Sequence, residues 1–379
     1  MPPPGSTPGA AAISPAPKGP SRPDARLDTP AEGRNLPLRP VEDALARYLA
    51  SRLEANDVRV TGLLRIPGGA SRETWMFDAE WTAPSGERQT AAFVLRKDPP
   101  ASLLDTDRET EYAFYSAPWG SDVPVPRMRW LENDASILGG PFFIMDRILG
   151  CESATAKIIA PPYTAVHPQL AENMYRILGA IATFDWRGTP IERVAEPPTP
   201  ETAWQRELDH WERILDTEAM EPQPIMKAAI RWLRANPPPP AQRISVVHGD
   251  YRVGNFLYRE DGNIYGIVDW EMAHLGDPLE DLAWSFNQSW HWAKDGRPGG
   301  IVDRAAAIAH WERYSGLRAD PQALYWWEVF SHVKCQGIWV TGARSFQEGR
   351  TNELILPLVA YSLINAQDQY LLRTMGRIP

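Results

Sequence analysis

Two short apolar runs, each ending in a cluster of acidic and amide side chains, constrain this chain more than any other feature. Ile244–Val247 runs into His248-Gly249-Asp250-Tyr251-Arg252-Val253-Gly254-Asn255, and Tyr265–Val268 runs into Asp269-Trp270-Glu271. Runs of this length, rich in Val and Ile, read as short buried strands. A carboxylate at the end of such a strand sits where the chain leaves the core. Asp250, Asn255 and Asp269 can therefore converge at one mouth. Mg²⁺ takes hard oxygen ligands, keeps several waters, and usually binds one or two protein carboxylates together with phosphate oxygens. An Asn and an Asp suit that role, and a third carboxylate nearby can accept the proton of an attacking hydroxyl.

The rest of the chain fills out two bodies. Its 379 residues are too many for one compact core. Residues 1–40 are dense in Pro, Gly, Ala and Ser and almost free of aromatic and β-branched residues, so they read as a disordered tail. A helical period begins at Val41 and runs to about Ala55, with Leu45, Tyr48, Leu49 and Leu53 on one face. Strands are predicted over Val58–Ile66, Thr74–Trp81 and Thr90–Arg96, with Pro67-Gly68-Gly69-Ala70-Ser71 and Pro84-Ser85-Gly86 as turns. A helix over Thr106–Ser116 and strands over Arg127–Leu131 and Pro141–Arg147 complete a small β-rich lobe. After Gly150 the pattern turns mainly helical, with candidate helices over Pro168–Phe184, Glu201–Ala219 and Pro224–Ala235. The run Pro237-Pro238-Pro239-Pro240 can only be loop. The segment from Leu279 to Arg377 reads as helical and rich in tryptophan.

Charge and cysteine usage exclude several classes. A net charge of −9 argues against general nucleic-acid binding, which needs a basic surface. No stretch is long and apolar enough to predict a membrane span, and the first residues lack the order of a signal peptide. Cys151 and Cys335 lie far apart and outside any metal-ligand spacing, so a reducing, cytoplasmic setting is expected.

Together, His248-Gly249-Asp250-Tyr251-Arg252 through Asn255, Asp269-Trp270-Glu271 and Gly276-Asp277-Pro278-Leu279-Glu280-Asp281-Leu282-Ala283 resemble the aminoglycoside phosphotransferase and choline kinase superfamily, from about Val58 to the last helix. Within it, Gly68-Gly69-Ala70-Ser71-Arg72-Glu73-Thr74, Phe93-Val94-Leu95-Arg96 and His248-Gly249-Asp250-Tyr251-Arg252 look most like the kinase-like domain associated with acyl-CoA dehydrogenases. The resemblance implies an α+β, bilobal, protein-kinase-like fold. Its small β-rich N-lobe is placed at 41–148 and its larger, mainly helical C-lobe at 149–379. It also implies ATP or another nucleoside triphosphate as phosphate donor, Mg²⁺, and a small-molecule hydroxyl as acceptor.

Roles follow residue by residue from the same resemblance. Asp250 is expected to orient the acceptor hydroxyl, and Asn255 and Asp269 to hold Mg²⁺ against the phosphates. Glu271 shares the face of Asp269 in an extended segment and is a further metal candidate. The backbone of Gly68 and Gly69, and the Ser71 hydroxyl, are expected at the phosphates. Arg96 stands where kinases usually carry Lys, with Glu111 as its ion-pair partner, and Lys97 points to the other face. The backbone of Asp146 to Ile148 is expected to meet the nucleotide base.

Plainer roles compete with some of these. His248 reads as a structural hydrogen-bonding residue, Asp281 as a brace for the loop, and Asp277 as a helix cap before Pro278. Arg252 either contacts phosphate or braces the loop. Two other function classes remain open at this point: a nucleotide-binding pseudokinase acting as an interaction module, and a metal-dependent hydrolase built on His248, Asp250, Asp269 and His274.

Overall fold

Phe142–Asp146 is the strand on which the architecture turns, because it is buried on both faces. The computed structural model describes residues 38–66, 73–98, 108–351 and 353–379. In chain order the first lobe comprises α1 (Leu38–Leu53), β1 (Arg59–Ile66), β2 (Glu73–Thr82), β3 (Arg88–Lys97), α2 (Arg108–Ser116), β4 (Met128–Glu132), the single turn α3 (Ala135–Leu138) and β5 (Phe142–Asp146). The strands form one antiparallel sheet in the order β1-β2-β3-β5-β4. Phe142 and Ile144 of β5 pack with Leu45, Tyr48 and Leu49 of α1 and with Phe77 and Phe93. Phe143 and Met145 point the other way, into the core of the second lobe. Period-two alternation thus ties one strand into two cores.

The second lobe is mainly helical. It contains α4 (Thr155–Ile158), α5 (His167–Thr183), α6 (Ile191–Val194), α7 (Ala203–Glu218), α8 (Pro224–Ala235), α9 (Leu279–Ser285), α10 (Arg304–Ser315), α11 (Pro321–Gln347) and α12 (Ile355–Thr374). Two small antiparallel pairs interrupt the helices: β6 (Ser245–Val247) with β9 (His274–Gly276), and β7 (Phe256–Tyr258) with β8 (Ile264–Ile267). The fold is therefore α+β and bilobal, with a small β-rich lobe and a larger helical one.

The sequence expectations hold for each strand of the small lobe to within one or two residues. The helix expected from Val41 begins earlier, at Leu38, so residues 38–40 do not belong to a tail. Pro40 is tolerated there because the first turn of a helix has no partner for its N–H in any case. Residues 1–37, the Gly68-Gly69 and Ser71 positions, and the start expected at Thr106 lie outside the described residues. Strand β9 has no counterpart in the sequence reading. Its three residues include a histidine and carry no period, and only pairing with β6 makes them a strand.

Candidate active site

The two acidic clusters form one site because the β7–β8 ladder continues one step beyond the strands. Asn255 accepts the Val268 N–H on its carbonyl at 3.0 Å, which joins the loop after β6 to the loop after β8. Within the first loop, Gly249 takes a φ of 82°, and a Cβ there would run into the Met272 carbonyl. Only glycine allows that approach. His248 uses both ring nitrogens. Nε2 donates to the Val268 carbonyl at 3.0 Å, and Nδ1 accepts the Asp250 N–H at 3.1 Å. Burial drives its pKa down to about 4, so the ring stays neutral, as this donor–acceptor pattern requires. Asp281 accepts the N–H groups of His248 and Gly249 at 2.6 and 2.9 Å. Its burial, reinforced by Glu280, pushes its pKa up to about 6.

This scaffold presents Asp250 with three side-chain donors. Oδ1 accepts from Arg252 Nε at 2.9 Å and from Trp284 Nε1 at 2.8 Å, and Oδ2 accepts from Asn255 Nδ2 at 2.7 Å. Asn255 also donates to the Asp250 carbonyl at 2.9 Å. Arg252 lies over the Trp290 ring, 4.5 Å from its centre.

Asp269 adopts a φ of 70°, unusual for a residue with a Cβ. Its N–H donates to the Tyr115 hydroxyl at 2.6 Å, so α2 of the small lobe holds this turn. The bend, rather than a strand period, brings Glu271 to the same place as Asp269. Arg96 Nη2 donates to Asp269 at 2.9 Å and to Glu271 at 3.3 Å, and Arg96 Nε lies 3.2 Å from Glu111. Enclosure at this junction works against ionisation of Asp269, but Arg96 outweighs it and holds the carboxyl below its usual range. Lys97 points away and pairs with Glu73 at 3.0 Å.

A cleft of about 1720 Å³ opens onto Arg96, Asp250, Arg252, Asn255, Asp269 and Glu271 together. It continues past Trp284 to Trp290, Trp292 and Trp339, then to Ile338, Leu356 and Leu363. Glu111 stands behind Arg96, fully buried. Asp146 and Ile148 are not among the residues that line this cleft. The Asp146 N–H donates to Arg127 and its carboxylate pairs with Arg129, so its amide belongs to the sheet. Asp277 accepts the Leu279 N–H at 2.9 Å and the Trp327 indole N–H at 3.0 Å, a cap for α9 that also anchors α11. Sequence reasoning places Trp284 only among mainly core tryptophans, some of them expected at the acceptor pocket, and misses its bond to Asp250; it misses Tyr115 altogether. The position of Trp284, one helical turn after Asp281, was the available signal for the first. Tyr115 had none.

The phosphotransferase enzyme family matches residues 62–317, a span that contains both acidic loops and Arg96 but not the part of the cleft wall from Lys334 to Leu363. The chain belongs to this family. It is 29% identical over 255 residues to mouse (Mus musculus) acyl-CoA dehydrogenase family member 10, covering 64% of this chain and 22% of that protein. It is 26% identical over 260 residues to chicken (Gallus gallus) acyl-CoA dehydrogenase family member 11, covering 66% of this chain and 31% of that protein. The chain thus spans less than a third of the length of these two curated relatives. Among solved structures, a candidate aminoglycoside phosphotransferase from Ralstonia eutropha superposes with a TM-score of 0.67 at 22% identity, covering 88% of this chain and 98% of that one. Ethanolamine kinase of Plasmodium vivax superposes with a TM-score of 0.55 at 12% identity, covering 84% of this chain and 83% of that one. These likenesses are of fold.

Proposed function

We propose that this phosphotransferase moves the γ-phosphate of ATP, or of another nucleoside triphosphate, to a hydroxyl of a small apolar molecule such as a hydroxyacyl thioester. The observation that carries the reading is the convergence of Asp250, Asn255, Asp269 and Arg96 in one cleft, beside a wall of tryptophan and aliphatic side chains; Glu207, Asp209 and Glu218 also line the cleft. Asp250 stands where an acceptor hydroxyl enters from the apolar side, with its carboxylate fixed by three donors. Its role is to orient that hydroxyl and take its proton as the phosphate is transferred.

The donor set also fits Mg²⁺. Asn255 spends its amide N–H on Asp250, leaving its carbonyl oxygen as a hard ligand, and Asp269 and Glu271 bring carboxylate oxygens to the same corner. Mg²⁺ bound there supplies charge neutralisation for the β- and γ-phosphates. Arg96, held by Glu111 behind it, turns its guanidinium toward the phosphates and replaces the usual lysine with a planar fork. For Gly68, Gly69 and Ser71 we retain the phosphate contacts expected from sequence, and for the backbone of Asp146 to Ile148, apart from the Asp146 N–H spent on Arg127, the contact with the base.

The wall beside Asp250 favours an apolar body over a polycation. Arg252 sits beside Asp250, and the indoles of Trp290, Trp292 and Trp339 form the neighbouring wall. The likeness to acyl-CoA dehydrogenase family members supports a thioester among such acceptors. The hydrolase alternative loses its histidines: both ring nitrogens of His248 are engaged, and His274 is committed to Met272 and Glu280.

The test is nucleoside diphosphate release by the purified full chain, measured over a panel of hydroxyacyl thioesters, hydroxylated aromatics, ethanolamine and an aminoglycoside, with and without a chelator. Acceptor-dependent turnover with apolar hydroxy compounds, lost with chelator and restored by Mg²⁺, is expected. Turnover that survives chelation, or that appears only with the cationic acceptors, refutes the reading.

A further inference from the structure

Helix α9 grips the Asp250 loop at two points one helical turn apart. Asp281 holds the loop by its backbone, through the N–H groups of His248 and Gly249. Trp284, three residues on, reaches the Asp250 carboxylate itself and donates Nε1–H to Oδ1 at 2.8 Å. Residues three apart lie on one face of a helix, so a single rigid element sets both the path of the loop and the direction of its carboxylate.

The indole cannot easily swing away. Trp284 is 1% exposed. Its ring packs against Trp290 with centroids 5.4 Å apart, and Lys334 Nζ lies 5.0 Å above it. Lys334 is itself fixed by Glu280 at 2.8 Å, on the residue beside Asp281. The other donor to Oδ1, Arg252, is the more exposed partner, with 22% of its side chain accessible. Of the two groups on Oδ1, Trp284 is therefore the immobile one.

We propose that Trp284 is a positioning residue for phosphotransfer: its indole N–H fixes the rotation of the Asp250 carboxylate, so that Oδ2 keeps a lone pair free toward the acceptor hydroxyl. This inference rests on the phosphotransferase reading above. Without the indole, Oδ1 keeps only the more exposed Arg252 and Oδ2 keeps Asn255, so the carboxylate gains freedom about its Cβ–Cγ bond and the reacting geometry is less populated.

Trp284→Phe keeps most of the ring and removes the donor. In the full chain, kcat is expected to fall on the order of ten- to a hundred-fold, as loss of a hydrogen bond to a charged group implies. KM for the nucleotide stays unchanged, because the indole touches no part of the nucleotide site. Trp311→Phe is the matched control. Trp311 is equally buried, in α10, and its indole N–H has no hydrogen-bond partner, so its loss costs packing and leaves kcat alone. A Trp284→Phe enzyme with wild-type kcat, or a Trp311→Phe enzyme with the same kcat loss, overturns the proposal. If Trp284→Phe does not fold, the indole N–H region of a nitrogen-15 spectrum gives the answer. One of the 16 tryptophan resonances should lose its downfield position in Asp250→Ala, and an unchanged indole region overturns the proposal. That spectrum reports the Trp284–Asp250 contact whether or not any acceptor turns over. A failure of the broader functional reading is therefore distinguishable from a failure of this one.

Discussion

Arg96 serves three carboxylates with one guanidinium: Glu111 of its own lobe, and Asp269 and Glu271 of the other. Each link has a different consequence when it is cut. Arg96→Ala leaves a buried Glu111 and removes positive charge from the part of the cleft where we propose the phosphates bind. We expect kcat/KM for the nucleotide to fall on the order of a hundred-fold, read in steady-state kinetics. Arg96→Lys keeps the charge but cannot span the three partners, and an intermediate loss is expected. Lys97→Ala removes only the contact with Glu73 and leaves turnover close to wild type; a severe loss there would place the phosphates on the wrong face of β3. On the proposed reading, in which the carboxylate acts on the acceptor, Asp250→Asn should nearly abolish phosphoryl transfer while calorimetry shows nucleotide affinity retained. Gly249→Ala is a backbone prediction. The positive φ and the Met272 carbonyl together forbid a Cβ without a shift of the loop, and strain of about 1–3 kcal/mol is expected in denaturant unfolding, with turnover lost alongside.

Among the elements, β5 and α11 decide how the lobes meet the site. The sequence predicted β5 only as a strand over Pro141–Arg147; that it is buried on both faces, Phe142 and Ile144 in one core and Phe143 and Met145 in the other, is a finding of the structure. Helix α11 was legible only as helical and tryptophan-rich. Its 27 residues cross α7, α8, α9 and α12, and its Lys334 reaches into the α9 corner. Gly337 makes the crossing with α7 possible: a Cβ there would lie 2.6 Å from Cε3 of Trp211. Gly337→Ala should therefore overpack this crossing and lower stability by about 1–3 kcal/mol, seen as a reduced melting temperature. Because α11 carries Lys334, turnover should fall too, while the small lobe keeps its nucleotide affinity.

For the molecule as a whole, buried charge makes stability a function of pH. His274 lies 3.1 Å from Glu280 and 3.6 Å from Glu207. Burial disfavours its protonation, but the two carboxylates outweigh that and hold its pKa up to about 9. The folded chain thus binds this proton more tightly than the unfolded chain does. The associated stability is complete below about pH 6.5 and is lost as pH rises through 9. Wild type should lose on the order of 2 kcal/mol relative to His274→Gln between pH 6.5 and 9. Parallel curves for the two proteins over that range would show that the histidine is neutral when folded. No helix among the described residues is long and apolar enough to cross a membrane.

The sequence by itself determined the lobe pattern, the strands of the sheet and the residues that assemble the acidic corner, since these follow from local periodicity and from motifs that chemistry confines to few residue types. The opposition of Arg96 and Lys97 was equally local, fixed by the two-residue period of a strand. Only the tertiary structure decided who holds the corner in place. Tyr115 meets the Asp269 N–H across 154 positions, and Trp284 meets Asp250 across 34. Tyr115 carries no signature and Trp284 only its spacing from Asp281, because a tyrosine or tryptophan in an apolar run reads as core. Glu271 reached its place through a left-handed bend at Asp269, which no strand period predicts. The backbone there is strained, and the donors gathered around it by distant elements stabilise it.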